Sequence, residues 1–135
     1  MNTISSVTST RKQVKAVGLI SGGLDSTLAA KIMKELEVEV HGVYYAMPWG
    51  CCDKAKAQLV AEQLGISFIV LKLDDRYLEV VKHPQYGYGT ALNPCVDCRI
   101  HMFSRAAQYM RTIGADFVFT GEVLGQRPMS QMRKI

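Results

Sequence analysis

At 135 residues, 48% hydrophobic and 21% charged, the chain has enough apolar mass for one domain with a real core and too little for two. It has no apolar run near the ~18 residues of a membrane span and no apolar secretory leader, which excludes membrane-embedded and exported classes and leads us to expect a cytoplasmic protein. The net charge of +4, with six Lys/Arg against three acids from Cys95 onward, permits a nucleic-acid partner without requiring one.

Residues 1–12, rich in Ser and Thr, are expected to form a disordered tail, leaving 13–135 as the domain. Val14 to Ile20 has the length and branched content of a buried strand, and Thr27 to Lys34 reads as a helix closed by Glu35-Leu36-Glu37. Val38 to Tyr45 is a second strand, ended by Pro48-Trp49-Gly50. Asp53 to Leu64 carries Ala57, Val60, Ala61 and Leu64 on one helical stripe, with Gly65 as its cap. A third strand follows at Ile66 to Leu71, then a short helix from Asp74 or Asp75 through Val81. Residues 82–94 read as a turn-rich loop over a site, with Tyr86 and Tyr88 packing it down. Val96 to Ile113 resumes helical period, Gly114 stops it, and Phe117 to Thr120 is the fourth strand.

Strands alternating with helices predict a doubly wound α/β domain with a parallel sheet, right-handed crossovers and helices on both faces. Such sheets bind ligands at the carboxyl ends of their strands, here Ser21-Gly22-Gly23, Ala46 to Cys52, Leu73-Asp74 and Gly121-Glu122. A fifth strand is usual in this class, and nothing after Thr120 reads as one, so the domain is expected to be incomplete at its C-terminal side.

Ser21-Gly22-Gly23-Leu24-Asp25-Ser26 sits between the first strand and first helix. Two glycines let the backbone approach a ligand closely, so successive N–H groups can converge on phosphate oxygens. Ser21, Ser26 and Thr27 add hydroxyls, and the helix dipole adds positive potential. Asp25 repels phosphate unless a cation lies between them, which implies Mg²⁺. The hexapeptide is neither a Walker A loop nor a dinucleotide fingerprint; it resembles the SGGxDS pyrophosphate loop of the PP-loop ATP pyrophosphatases. These cleave ATP between its α and β phosphates and place AMP on a carbonyl or carboxyl oxygen.

Asn93-Pro94-Cys95-Val96-Asp97-Cys98 is the second signal. Pro94 suits a helix start, which puts Cys95 and Cys98 in the first turn, where a thiolate is favoured. Gly50-Cys51-Cys52, Ala57 to Ile66 and Tyr86 to Cys98 together resemble the tRNA 2-thiouridylase family in order and spacing. Thr120 to Gln126, with Ser130-Gln131, is similar to the pyrophosphatase domain of tRNA 4-thiouridine synthetases. The resemblance implies the HUP-like adenine nucleotide alpha hydrolase fold, tRNA as partner, and ATP-dependent exchange of a uridine carbonyl oxygen for sulfur from a donor protein or sulfide. Carried over by position, Ser21, Gly22, Gly23, Asp25, Ser26, Thr27 and Gly121 would bind ATP, and Asp25 would serve Mg²⁺. Cys98, with Cys95, would carry the sulfur.

Gln126, Arg127 and Ser130 offer hydrogen bonds and a charge suited to phosphate or a substrate base. Members with both cysteines suggest an iron–sulfur cluster on Cys95 and Cys98, for which Cys51 or Cys52 is the internal source of a third thiolate. The chain departs from the 2-thiouridylase pattern at Leu92 and Arg99 and lacks a downstream cysteine and tRNA-binding domain. Two rival readings stay open: an ammonia-using ligase or amidotransferase with structural cysteines, and a non-catalytic ATP-binding or iron–sulfur module. A homo-oligomer is compatible with either. His41 is read as structural, Trp49 as a buried anchor or base-stacking residue, and Glu122 as a metal ligand or loop tether.

Overall fold

Alternating side chains in the first two strands are apolar on both sides, so each strand must be covered twice. In the computed structural model, which describes residues 11–47, 53–88 and 95–125, helices provide both covers. The elements run β1 (Lys15–Leu19), α1 (Leu24–Glu35), β2 (Glu39–Ala46), α2 (Lys54–Leu64), β3 (Ser67–Lys72), α3 (Asp75–Lys82), α4 (Cys95–Ile113) and β4 (Phe117–Phe119). Among the described residues the sheet is parallel throughout, in the order β3-β2-β1-β4. This is the doubly wound α/β arrangement expected, with element ends displaced by one to three residues. The largest shift is α1, which begins at Leu24 rather than Thr27 and so draws Asp25 and Ser26 into its first turn.

One face of the sheet packs Ala16, Ile20, Val40, Tyr44 and Phe119 against Ala30 of α1 and Ala57 of α2. The alanines lie fully buried at the helix contacts, where small side chains bring the helices close to the strands. The other face packs Val17, Leu19, Val43 and Tyr45 against Ala106, Met102 and Met110 of α4. Tyr45 adds a directional tie, its buried hydroxyl donating to the Met102 carbonyl at 2.6 Å. Burial pushes the Tyr45 phenol well above its ordinary range, so this donor stays protonated. The outward side of α1 repeats Leu24, Leu28, Ile32 and Leu36 at four-residue intervals, all of them exposed.

Asp53 caps α2, accepting from the N–H groups of Ala55 at 3.0 Å and Lys56 at 3.3 Å. His41 has the structural role expected of it. It bridges Glu39 Oε1 at 2.7 Å and Ser67 Oγ at 2.8 Å, and it lies opposite Ser67 in the β2–β3 register. Among the described residues no helix is long and apolar enough to cross a membrane.

Gly18 and Phe119 face one another across the β1–β4 pair, and the Phe119 ring occupies the space a Cβ at residue 18 would need. Gly18→Ala is therefore expected to destabilise the fold by about 1–3 kcal/mol by forcing the ring aside. Urea unfolding should show a lower midpoint with an unchanged slope.

Candidate functional site

The strand order fixes where a ligand can enter. From β1 the chain winds outward through β2 and β3, then returns by way of α4 to add β4 on the other side of β1. The loops leaving β1 and β4 consequently diverge, opening a crevice at the carboxyl ends of those two strands. Ser21-Gly22-Gly23 borders it on one side and Thr120-Gly121-Glu122 on the other.

The first loop is held from within. Gly22 has φ +85°, and a Cβ there would lie 2.9 Å from the Ala57 nitrogen and 3.0 Å from Lys56 Cβ. Both its dihedral and its seat on the start of α2 thus require glycine. Ser26 is buried and donates from Oγ to the Gly23 carbonyl at 3.1 Å, while its oxygen accepts from the Ser21 N–H at 3.3 Å. Thr27 Oγ1 donates to the same carbonyl at 2.7 Å. The Ser26 and Thr27 hydroxyls therefore shape the loop, while the first N–H groups of α1, which a helix leaves without intrahelical acceptors, face its mouth. Asp25 lies exposed in that first turn and offers the hard oxygen donor Mg²⁺ takes, so the donor set fits the ion.

The second loop touches the first. A Cβ on Gly121 would run into the Asp25 carbonyl and the Ser26 nitrogen, so the backbone after β4 lies directly on the first turn of α1. The next residue, Glu122, forms an ion pair with Arg99 of α4. Glu122 is thereby a loop tether, the second of the two roles open to it in the sequence, and the pair ties the nucleotide loops to the cysteine helix.

Cys98, immediately before Arg99, is buried, with Sγ 3.5 Å from the Tyr77 hydroxyl and 3.9 Å from Met102 Sδ. Asp97 turns the other way and accepts from the N–H groups of Gln85 at 2.9 Å and Tyr86 at 3.0 Å, anchoring the loop after α3. Tyr88 does pin that loop, through its hydroxyl to the Val81 and Lys82 carbonyls, but both tyrosine rings are exposed rather than packed down. Behind Tyr77, its ring tilted against His101 at 5.6 Å, lies a charged group: Asp74 is 3.8 Å from His101 Nε2 and 3.5 Å from Arg105. Burial holds the His101 imidazole below its ordinary range, with Asp74 pulling the other way.

The structure thus brings together Ser21, Gly22, Gly23, Asp25, Ser26, Thr27 and Gly121, and links them through Glu122 and Arg99 to Cys98. Cys95 opens α4, as expected from Pro94, and the position of its side chain is not described. Trp49, Cys51, Cys52, Pro94, Gln126, Arg127, Ser130 and Gln131 lie outside the described residues. Thiolates suit an iron–sulfur cluster, yet among the described residues no three His, Cys, Asp or Glu side chains converge as a metal site. Sequence reading missed Tyr77, His101 and Arg105, none of which belongs to a local motif, and named Asp74 and Asp97 only as parts of a strand end and of the cysteine motif, without their partners.

A glycine-bounded anion site at the switch point of a parallel sheet defines a nucleotide-binding α/β domain of the HUP class. The family model described as the tRNA methyl transferase HUP domain matches residues 14–131, and the chain belongs to that family. The tRNA-specific 2-thiouridylase MnmA of Sulfurimonas denitrificans is 35% identical over 113 residues, covering 78% of this chain and 33% of that protein. The chain thus spans about a third of the length of the curated relatives it matches. A 4-thiouridine synthetase solved with RNA and bound ATP superposes with a TM-score of 0.73 at 26% identity, over 89% of this chain and 32% of that one. The NH3-dependent NAD synthetase of Campylobacter jejuni shares the fold, with a TM-score of 0.59 at 20% identity over 80% of this chain and 47% of that one.

Because Gly121 presses on backbone rather than on a side chain that could swing away, Gly121→Ala must separate the two loops. Calorimetric titration with ATP and Mg²⁺ is expected to show affinity at least about tenfold weaker, and unfolding a stability loss of about 1–3 kcal/mol. A variant that bound ATP as tightly as the parent would show that the two loops act separately.

Proposed function

We propose that the chain is the ATP-using core of a tRNA uridine thiolase. The observation that carries this reading is the backbone contact of Gly121 on Asp25 and Ser26, continued by the Glu122–Arg99 pair to Cys98. It sets a nucleotide loop and a cysteine on either side of one short segment. The ATP and RNA bound by the 4-thiouridine synthetase neighbour, and the tRNA named for the 2-thiouridylase relatives, support the substrates.

In this reading the loop N–H groups and the α1 N-terminus bind the phosphates, and Asp25 would hold Mg²⁺, which when bound would supply positive charge against them. A uridine carbonyl oxygen attacks the α-phosphorus, the bond to the bridging oxygen breaks, and pyrophosphate leaves. The carbonyl oxygen, otherwise a poor leaving group, now departs as AMP. A persulfide on Cys98, charged by a donor protein or by sulfide and an oxidant, attacks the activated carbon through its terminal sulfur. The Cys95 thiolate then attacks Cys98 Sγ, and the S–S electron pair passes to the uridine sulfur. Thiouridine leaves a Cys95–Cys98 disulfide, which an external dithiol reduces. Gln126, Arg127 and Ser130 are assigned to the substrate. An iron–sulfur cluster on Cys95, Cys98 and Cys51 or Cys52 is the alternative sulfur source, and anaerobic iron–sulfide reconstitution followed by visible absorption distinguishes it.

Pyrophosphate release from ATP and Mg²⁺, measured anaerobically with and without bulk tRNA and a persulfide donor, tests the reading. Release is expected to require tRNA and to fall at least a hundredfold in Asp25→Ala. In Cys98→Ser it should persist while thiouridine, read by mass spectrometry of the digested tRNA, disappears. Turnover that used ammonia and ignored both cysteines would replace this reading with a ligase.

A further inference from the structure

The Cys98 sulfur sits in conflicting surroundings. Its place in the first turns of α4 favours the thiolate, whereas burial to 8% exposure beside Met102 disfavours it. A donor to the buried sulfur would stabilise it as a nucleophile, and the Tyr77 hydroxyl lies 3.5 Å away. Tyr77 is 1% exposed, among the most deeply buried large side chains of the described residues. A tyrosine serving as packing alone has no need to aim its hydroxyl at a sulfur. Here the ring is fixed from behind by the tilted His101 imidazole, and α3 begins beside it at Asp75, so the hydroxyl has little freedom to turn away.

We infer that Tyr77 is a positioning residue for the Cys98 sulfur, its hydroxyl donating to that sulfur in the anionic form that accepts and passes on the sulfur atom. With a neutral thiol either partner can donate. A thiolate or persulfide anion can only accept, so deprotonation fixes Tyr77 as the donor. The bond then stabilises the anion and holds the sulfur in one orientation. Three charged residues of the described part near Cys98 make contacts elsewhere. Asp97 faces the N–H groups of Gln85 and Tyr86, Arg99 pairs with Glu122, and Asp74 lies toward His101 and Arg105. The assignment rests on the sulfur-carrying role of Cys98, but its test does not.

The test is the rate of Cys98 alkylation by iodoacetamide as a function of pH, in the full chain with Cys95→Ser. In that background the tryptic peptide of residues 83–99 reports Cys98 alone. In Tyr77→Phe, which keeps the ring and removes the hydroxyl, the midpoint is expected to rise by about one pH unit, a roughly tenfold loss of thiolate below it. Tyr77→Leu serves as the packing control: it should lower the unfolding midpoint, whereas Tyr77→Phe should leave it nearly unchanged. An unmoved midpoint in folded Tyr77→Phe would overturn the inference, as would a wild-type sulfur that reacts only on unfolding. If the midpoint moves but Cys98→Ser still thiolates tRNA, the contact stands and the sulfur role of Cys98 falls.

Discussion

The contact on which the site depends is that of one backbone on another, Gly121 upon Asp25 and Ser26. β4 pairs with β1 for only three residues, so the ladder alone gives the segment beyond it little direction. The close approach supplies that direction, and only a residue without a side chain permits it. From there Glu122 reaches Arg99, and α4 is held to the sheet by its apolar face and the Tyr45 hydroxyl. A chain of contacts thus runs from the glycine loop, by backbone contact and then through the Glu122–Arg99 side-chain pair, to the cysteine helix. The Glu122–Arg99 pair is only partly exposed, which makes it more than a screened surface bridge.

Two kinds of charge are handled differently at the two ends of that chain. At the anion loop, residues 21–27 contain no basic side chain, so attraction comes from peptide N–H groups and the helix end. Such groups are fixed before the ligand arrives and need no reorganisation, but they carry only partial charge. Asp25 opposes them, and under the proposed function a cation would reconcile the two. At Cys98 the sulfur belongs to the protein and is buried, so for the anion proposed there one well-directed donor would matter more than the field of a helix end.

Much of this was legible in the chain because the relevant signals are local. Strand runs, the α2 stripe, Gly65 and Gly114 as stops, and the glycine loop all depend on residues within a few positions of each other. Ends were less exact: Leu24-Asp25-Ser26 read as loop because it belongs to the motif, although its backbone is already helical. What escaped was long-range. Tyr77 and Cys98 are 21 residues apart on different helices, and a lone tyrosine on the apolar side of an amphipathic helix reads as core. Glu122 was open between ligand and tether because its partner lies on α4, and no spacing rule pairs a post-strand acid with a helix arginine. Gly121 was marked as a binding residue by resemblance, but the reason for glycine there is a collision with another loop, visible only in three dimensions.

Fold alone does not choose the chemistry. The same α/β frame serves an NH3-dependent NAD synthetase, so the frame leaves the second nucleophile open. That choice must lie where the second nucleophile approaches, on the far side of the segment after β4. There this chain buries a thiol, faces it with a hydroxyl, and ties its helix to the nucleotide loops through the neighbouring arginine. An ammonia site would need an open path for a small neutral molecule and acceptors for its protons; a sulfur carrier needs a polarisable atom, shielded from water and oxidants until the activated carbon is present. The surroundings of Cys98 match the second requirement, and it is this environment, more than the glycine loop, that argues for sulfur.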